Sequence, residues 1–270
     1  MIPIREFNDR NLAMATQMGT IKKVILRAFG RPKRGGIIAI TLDVGEKLIG
    51  VKLTNGDQEL ILGSKMGKSI RFSETEVRSM GRAARGVRGI RLKKNDEVID
   101  LVVVDTNSTL LTVCENGHGK RTSFDEYRLQ TRGGQGVINI KVNERNGNVI
   151  GMKVVRDDDE LMMMTSGGKV IRTPVNQTRV IGRNTQGVKL ISLGEGDKLV
   201  SVALVLASDI PADEEEPDGS DITGLDVTGS DSGDSNVDDS AANDSGISDP
   251  TVYDLDASDS DVDDSDTNSD

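Results

Sequence analysis

The first 209 residues repeat one pattern of about fifty residues four times. A first glycine precedes a basic segment in each block, and these first glycines are Gly19, Gly67, Gly117 and Gly168. A second glycine precedes an apolar run, and these second glycines are Gly36, Gly86, Gly136 and Gly187. The spacings are 48, 50 and 51 residues for the first glycines and 50, 50 and 51 for the second. Repeats of this period indicate stacked or radial units, and β-rich blocks favour a propeller-like ring.

The second block illustrates why each block is predicted to be β-structure. Two short apolar runs flank the sequence KMGK at 65–68, where glycine permits the positive φ that a tight hairpin needs. A polar, glycine-bearing loop with a helical turn at its start is predicted over 73–86. Strands are predicted over 87–92 and 98–105, which are rich in β-branched residues. Each block therefore predicts four strands and one blade of an all-β, propeller-like fold.

The repeat also predicts the domain boundaries. Residues 1–10 are similar to the last strand of a preceding block. The four predicted blades are residues 11–58, 59–108, 109–159 and 160–209. Residues 210–270 are predicted to form a disordered acidic tail, because they contain almost no large apolar residues to offset the entropy of ordering.

The two parts of the chain carry opposite charge. Residues 210–270 hold 21 of the 44 acids and no Lys or Arg, so residues 1–209 combine 23 acids with 34 bases. A basic β-rich body indicates a polyanionic partner. The acidic tail is interpreted either as a solubilising segment or as an intramolecular competitor for the basic surface.

Basic residues recur at two places in each block, after the first glycine and around the second. A cation four positions after each first glycine, here called the fourth-position cation, is Lys23, Arg71, Arg121 or Arg172. Equivalent positions of blades around an axis lie at regular intervals on a perimeter, which suits a curved phosphate backbone; an ordinary solvated surface is the alternative. The predicted DNA contacts are Lys22, Lys23, Arg31, Lys33, Arg34, Lys68, Arg71, Arg82, Arg85, Arg88, Lys120, Arg121, Arg132, Lys141, Lys169, Arg172 and Arg183. Reversing the charges of Arg121 and Arg172 is expected to weaken duplex binding without unfolding the domain.

Aromatic residues are too few and too scattered to form a series of stacking platforms for single strands. They are Phe7, Phe29, Phe72, Phe124, Tyr127 and Tyr253. A cationic surface with few aromatics instead favours contact with a duplex backbone and sequence-tolerant bending.

The sequence provides little for catalysis or for cofactor binding. His118 is the only histidine and Cys114 the only cysteine, so neither a metal site nor a nucleophilic dyad is predicted. No glycine-rich loop is followed by the GK[ST] of a phosphate-binding motif. One cysteine allows no disulfide within the chain, and the N-terminus lacks an apolar signal region, which together favour a cytoplasmic location. No apolar run is long enough to span a bilayer.

One motif is sharper than the rest. Residues 130–136 read QTRGGQG, and the strings at 116–147, 80–92 and 180–188 accompany it block by block. Over residues 1–209 the chain resembles the C-terminal domains of DNA gyrase A-type subunits, and its order resembles the last four blades. The family's box, Q-R-R-G-G-[KR]-G, lies in the first blade, so 130–136 resembles its weaker echo in a later one. The matching positions are Gln130, Arg132, Gly133, Gly134 and Gly136; Thr131 and Gln135 depart from the box.

The resemblance implies a β-pinwheel, a propeller-like ring of four-stranded blades whose basic rim wraps duplex DNA. It implies a supporting role in ATP-dependent negative supercoiling, with the rest of the gyrase A-type subunit and the gyrase B-type subunit as partners in an A2B2 enzyme. ATP and magnesium would bind elsewhere in that enzyme, and no cofactor is expected in this chain. Neither Tyr127 nor Tyr253 lies in the family's A-A-x-R-Y-T cleavage context, so no strand cleavage is expected.

Two alternatives remain open. The C-terminal domain of the A-type subunit of topoisomerase IV shares the fold, with fewer blades and degraded boxes. A propeller-type platform that binds an acidic protein would also explain the basic surface. Dependence of binding on salt and on duplex length separates DNA bending from protein docking, because each neutralised phosphate adds about −0.9 to the log–log salt slope.

Overall fold

A computed structural model describes residues 2–209 of the chain. The strands are β1 (Asn11–Thr16), β2 (Thr20–Ile25), β3 (Leu48–Thr54), β4 (Glu59–Ser64), β5 (Lys68–Ser73), β6 (Val87–Arg88), β7 (Val98–Val103), β8 (Thr109–Cys114), β9 (His118–Ser123), β10 (Val137–Ile138), β11 (Val149–Val155), β12 (Glu160–Thr165), β13 (Val170–Pro174), β14 (Val188–Lys189) and β15 (Leu199–Val205). The helices, all 3₁₀, are Leu26–Phe29, Glu74–Glu76, Phe124–Glu126, Val175–Gln177 and Ala207–Asp209. The all-β prediction is confirmed. The prediction of a disordered tail concerns residues 210–270, which lie outside the described part.

The strands form four antiparallel sheets. Their orders are β3-β1-β2-β6 in sheet 1, β7-β4-β5-β10 in sheet 2, β11-β8-β9-β14 in sheet 3 and β15-β12-β13 in sheet 4. Each of the first three sheets takes three strands from one block and its fourth strand from the next. We call β6, β10 and β14 the donated strands. The prediction that one block supplies all four strands of one blade is therefore wrong.

The loop that precedes each donated strand explains this exchange. In the second block the N–H of Met80 donates to the carbonyl of Lys23 in β2 at 2.9 Å. The loop of the second block thus reaches sheet 1 before β6 begins. β6 then pairs with β2 over only two residues, with Thr20 opposite Arg88. The N–H groups of Gln130 and Ile181 make the equivalent bonds to the carbonyls of Arg71 and Arg121, both at 2.9 Å. Of the strand predicted over 87–92, only Val87–Arg88 forms.

The apolar core lies between successive sheets. In β4, Leu60 and Leu62 pack in a cluster shared with the first block, whereas Ile61 packs in a cluster shared with the third. Successive strand residues point to opposite faces, and both faces of β4 are buried. A third cluster joins the third and fourth blocks. Since every sheet shares its core with its neighbours, the blocks stabilise one another in series.

The closing strands β3, β7, β11 and β15 contact one another in sequence. Neighbouring sheets therefore converge at this side, and the donated strands lie at the opposite edge of sheets 1 to 3. We call that opposite edge, formed by the second strand of each hairpin and its donated strand, the outer edge.

Residues 2–10 form no strand, contrary to the prediction for residues 1–10. The adjacent strand β1 already pairs with β2 and β3, so both of its edges are occupied. The N-terminal segment instead approaches the closing strand of sheet 1, where Ile2 and Ile4 share a surface pocket with Leu48 and Ile49. In the described part of the chain, no helix has the length and apolar character required to cross a membrane.

Cys114 and Tyr127 are core residues of the cluster between sheets 2 and 3. Burial raises the pKa of the Cys114 thiol to about 12. Tyr127 is 1% exposed, its hydroxyl donates to Oδ1 of Asn139 at 2.6 Å, and burial raises its pKa well above the ordinary value. The interpretation of both as packing residues is confirmed.

Candidate nucleic-acid interface

Three of the first glycines, Gly19, Gly67 and Gly117, connect their sheets to the next block. All four first glycines have positive φ, between 76° and 84°, as their hairpin turns require. The carbonyl of Gly19 accepts hydrogen bonds from the N–H groups of Gly89 at 2.8 Å and Ile90 at 3.2 Å. The equivalent bonds run from Asn139 and Ile140 to Gly67 and from Leu190 and Ile191 to Gly117, at 2.8 to 3.2 Å.

The fourth-position cation of the third block is buried between sheets. Arg121 is 5% exposed, and its Nη1 donates to the carbonyls of Val175 at 3.2 Å and Thr178 at 3.5 Å. Its Nε donates to Oγ1 of Thr109 at 3.0 Å, and Nη2 is paired with Asp157. Both carbonyls lie in or next to the 3₁₀ helix of the fourth block, so the guanidinium joins the two blocks.

Lys23 and Arg71 make the same connection. Lys23 Nζ donates to the carbonyl of Glu74 at 2.8 Å, where the 3₁₀ helix of the second block begins. Arg71 Nη1 donates to the carbonyls of Phe124 at 2.7 Å and Tyr127 at 3.1 Å. These three side chains are engaged in hydrogen bonds between blocks, which argues against the prediction that Lys23, Arg71 and Arg121 contact DNA.

Lys22 and Lys120 are also buried, at 0% exposure. Lys120 Nζ donates to the carbonyls of Gly182 at 2.6 Å and Arg183 at 2.5 Å, while burial, with Arg183 nearby, lowers its pKa to about 8. Lys22 Nζ donates to the carbonyl of Ala39 at 2.7 Å and to that of Arg82, and burial lowers its pKa as well. A buried ammonium requires such acceptors, so both lysines have a structural role, which argues against their predicted contact with DNA.

The remaining predicted cations keep access to solvent. Exposed positions are Arg31, Lys33, Arg34, Arg85, Arg88, Lys141, Lys169 and Arg172, and partly exposed positions are Lys68, Arg82, Arg132 and Arg183. Sequence reasoning missed Arg78 and Arg128, which correspond to Arg179 in the fourth block. All three precede the second glycine by eight positions and are exposed. Their equal spacing from the second glycine was the sequence signal that could have identified them.

Arg78, Arg128 and Arg179 lie along the outer edge. Each directly precedes a residue that bridges to the second strand of the preceding sheet, and these bridges are Lys23 to Ser79, Arg71 to Leu129 and Arg121 to Val180. The chain then follows that strand to the donated strand. We call residues 77–92, 127–142 and 178–193 the edge segments. Together they contain eleven Lys or Arg residues and no Asp or Glu.

The box-like segment 130–136 lies on the outer edge of sheet 2. Arg132 Nε donates to the carbonyl of Glu76 at 2.9 Å and Nη1 to that of Arg88 at 3.1 Å. The N–H of Gly133, at φ 80°, donates to the carbonyl of Gly89 at 2.6 Å. The segment therefore fixes the edge segment 127–142 to the edge segment 77–92, and it places Arg132 beside Arg88.

The second glycines let the donated strands approach the preceding sheet. A Cβ added to Gly86 would lie 2.7 Å from the carbonyl oxygen of Ile21, and one added to Gly187 would lie 2.8 Å from that of Gly119. A Cβ on Gly136 would overlap the carbonyl oxygen of Ser69. The box glycine thus has a structural role in strand exchange.

The profile of the family described as "DNA gyrase C-terminal domain, beta-propeller" matches residues 10–55, 58–105, 108–156 and 159–205. These matches cover most of the chain, one for each block. The chain belongs to this family. The resemblance of residues 1–209 is thereby confirmed.

Relatives that are A-type subunits of DNA gyrase support this assignment. Identity is 48% over 222 residues to that of Salmonella typhimurium and 45% over 222 residues to that of Escherichia coli, in each case over 82% of this chain and 25% of the relative. Identity to the gyrase A relative of Haloquadratum walsbyi is 46% over 201 residues, or 74% of this chain and 24% of the relative. The chain spans about a quarter of the length of the curated relatives that it matches.

Solved structures show the same fold. The crystal structure of the C-terminal domain of DNA topoisomerase IV superposes with a TM-score of 0.73 at 25% identity, covering 77% of this chain and 66% of that one. A DNA gyrase A C-terminal domain superposes with a TM-score of 0.68 at 28% identity, covering 75% and 68%. The fold is therefore shared with both enzymes, while the family profile and the relatives above favour gyrase A.

Proposed function

We propose that the chain binds duplex DNA along its edge segments, as the C-terminal part of a DNA gyrase A polypeptide that supports negative supercoiling. The observation that supports this role is the acid-free series of cations on the outer edges of successive sheets. A surface that repeats at the block period can contact consecutive stretches of phosphate backbone. Such contacts carry no base information and favour bending of sequences that deform easily.

The rest of the proposal concerns the larger enzyme. Strand cleavage and ATP hydrolysis, with its magnesium, are assigned to other parts of the gyrase A polypeptide and to the gyrase B polypeptide in a cytoplasmic A2B2 complex. Burial of Tyr127 supports this division within the described residues, because its hydroxyl cannot reach a phosphate. The chain itself is proposed to be non-catalytic.

Removing the repeated outer-edge arginines is expected to weaken DNA binding. The full chain with Arg78, Arg128 and Arg179 each replaced by Gln is compared with wild type by fluorescence anisotropy over a salt series. Duplexes of about 20 and about 100 base pairs are used, because the shorter one cannot follow several edge segments around a bend. Each lost phosphate contact should reduce the log–log salt slope by about 0.9, and wild type should bind the longer duplex more tightly.

A second triple variant controls for net charge. Replacing Lys47, Arg145 and Lys198 with Gln removes three exposed cations from the turns that precede closing strands. This control should keep the salt slope and most of the affinity. Equal losses in the two variants would contradict a localised edge site, and equal affinity for the two duplexes would favour a protein-binding platform over DNA bending.

A further inference from the structure

A groove beside the donated strand β6 is lined by a concentration of cations. The groove has a volume of about 660 Å³ and is bordered by Met18, at the hairpin tip of sheet 1, and by residues 88 and 90–97 of the second block. Its cations, all exposed, are Arg88, Arg91, Lys93 and Lys94. A smaller pocket of about 150 Å³ borders the same segment and adds Lys68. We call these five residues the groove cations.

The groove cations depart from the repeat. Four of them follow the second glycine of their block by two, five, seven and eight positions, and these are Arg88, Arg91, Lys93 and Lys94. The same four positions hold no cation in the first block, Lys141 alone in the third and Lys189 alone in the fourth. The eighth position is Glu144 in the third block and Glu195 in the fourth. A contact that the fold requires recurs along the blocks, so a cluster confined to one block indicates a local site.

The groove cations have no carboxylate partner. Within the residues that the structure describes, none of the five forms an ion pair. The two carboxylates that line the groove are engaged by hairpin tips. Asp96 accepts from Oγ of Ser64 at 2.7 Å and from the N–H of Met66 at 2.9 Å, and Glu97 pairs with Lys65 at 2.9 Å. The cations thus remain available, and a concave surface lined by one sign of charge concentrates counter-ions.

The backbone that carries these cations is fixed. The N–H of Arg91 donates to the carbonyl of Gly134 in the box-like segment at 2.8 Å, and the N–H of Asp96 closes a turn onto the carbonyl of Lys93 at 3.2 Å. In that turn Asn95 has φ 63°, at the position where the first and fourth blocks have glycine. Asparagine tolerates this conformation, and its amide adds N–H donors to the groove. A groove that is already formed binds a ligand with little ordering cost.

We propose that this groove binds closely spaced phosphate groups. Arginine holds phosphate oxygens through paired N–H donors, and lysine attracts them as a point charge. The polyphosphate chain of a free nucleotide and consecutive nucleotides of a DNA strand both present such groups. The site goes beyond the proposed function, because it is confined to one block and requires neither a long duplex nor a bend.

Replacing the two groove lysines that lie outside the edge segments tests the site. The full chain with Lys93→Gln and Lys94→Gln is titrated with inorganic triphosphate in a calorimeter, beside wild type. Loss of two charged contacts should raise the dissociation constant of triphosphate at least about tenfold. The matched control carries Lys47→Gln and Arg145→Gln, because both cations are exposed in the turns before closing strands of the first and third blocks. The control should bind triphosphate as wild type does.

A second probe, a duplex of about 20 base pairs, identifies the source of the phosphates. If the groove serves the DNA backbone, the double lysine variant should bind this duplex more weakly as well, whereas a site for free polyphosphate should leave duplex affinity unchanged. The variant with Arg78, Arg128 and Arg179 each replaced by Gln should keep its affinity for triphosphate, so failure of the outer edge to bind DNA would leave this test intact. Absence of triphosphate binding by wild type at millimolar concentration, or equal affinity in the lysine variant and in its control, would overturn the proposal.

Discussion

Replacing Arg121 with methionine is expected to lower the free energy of unfolding by about 3 to 5 kcal/mol. The guanidinium is almost wholly buried and donates to two carbonyls of the next block and to Thr109. Methionine fills part of the volume but leaves the buried acceptors without partners, at about 1 to 3 kcal/mol for each. Urea unfolding followed by far-ultraviolet circular dichroism measures the change.

Arg172→Met is the matched control, since Arg172 occupies the same repeat position in the fourth block. Its side chain is half exposed and its ion pair with Glu160 lies near the surface, so the loss should stay below about 1 kcal/mol. Equal losses at Arg121 and Arg172 would mean that the contact between blocks contributes little. Burial of Arg121 also argues against the expectation that its charge can be reversed without unfolding the domain.

Gly136→Ala is expected to destabilise the chain by more than about 4 kcal/mol. Alanine at φ 68° costs about 1 to 2 kcal/mol by itself, because its Cβ crowds the backbone in the left-handed region. The same Cβ would overlap the carbonyl of Ser69, which lies in a buried strand and cannot move aside without breaking its ladder. Thermal unfolding of the variant reports the loss.

Gly36→Ala separates the two contributions to that loss. Gly36 has φ 79° and open space around a built Cβ, so only the conformational cost of about 1 to 2 kcal/mol should appear. A loss as small at Gly136 would show that the donated strand β10 can shift without penalty, and would contradict the tight approach of the third block to sheet 2.

The fold could be predicted from the sequence where its cause is local. The hairpin glycines, the short apolar runs and the loops follow from φ preferences and from the twofold alternation of strands, and the hairpin at 65–68 forms as predicted. The exchange of strands could not be predicted, because it depends on which sheet the loop at 77–86 reaches. The sheet that the loop reaches is determined by hydrogen bonds between residues far apart in the sequence, such as the bond from the N–H of Met80 to the carbonyl of Lys23.

The same limit applies to the cations. Lys23, Arg71 and Arg121 repeat as regularly as Arg78, Arg128 and Arg179, so periodicity alone does not separate a buried contact from an exposed one. In the first set Lys23 and Arg121 are buried and the Arg71 side chain is 14% exposed, because the next block supplies carbonyls that accept their hydrogen bonds. A repeated cation in an apolar strand is thus as consistent with joining repeats as with binding a polyanion.

Arg71 and Arg128 provide the most direct test, because the two lie beside each other at the bridge between Arg71 and Leu129. The measurement is the DNA affinity and the urea midpoint of Arg71→Met and Arg128→Gln, each taken under conditions where the variant is folded. Arg71→Met should lower the midpoint and keep the affinity for the longer duplex, and Arg128→Gln should lower the affinity and keep the midpoint. Loss of affinity in folded Arg71→Met, with Arg128→Gln binding as wild type does, would contradict the assignment of the cations that join blocks to folding and of the outer-edge cations to DNA.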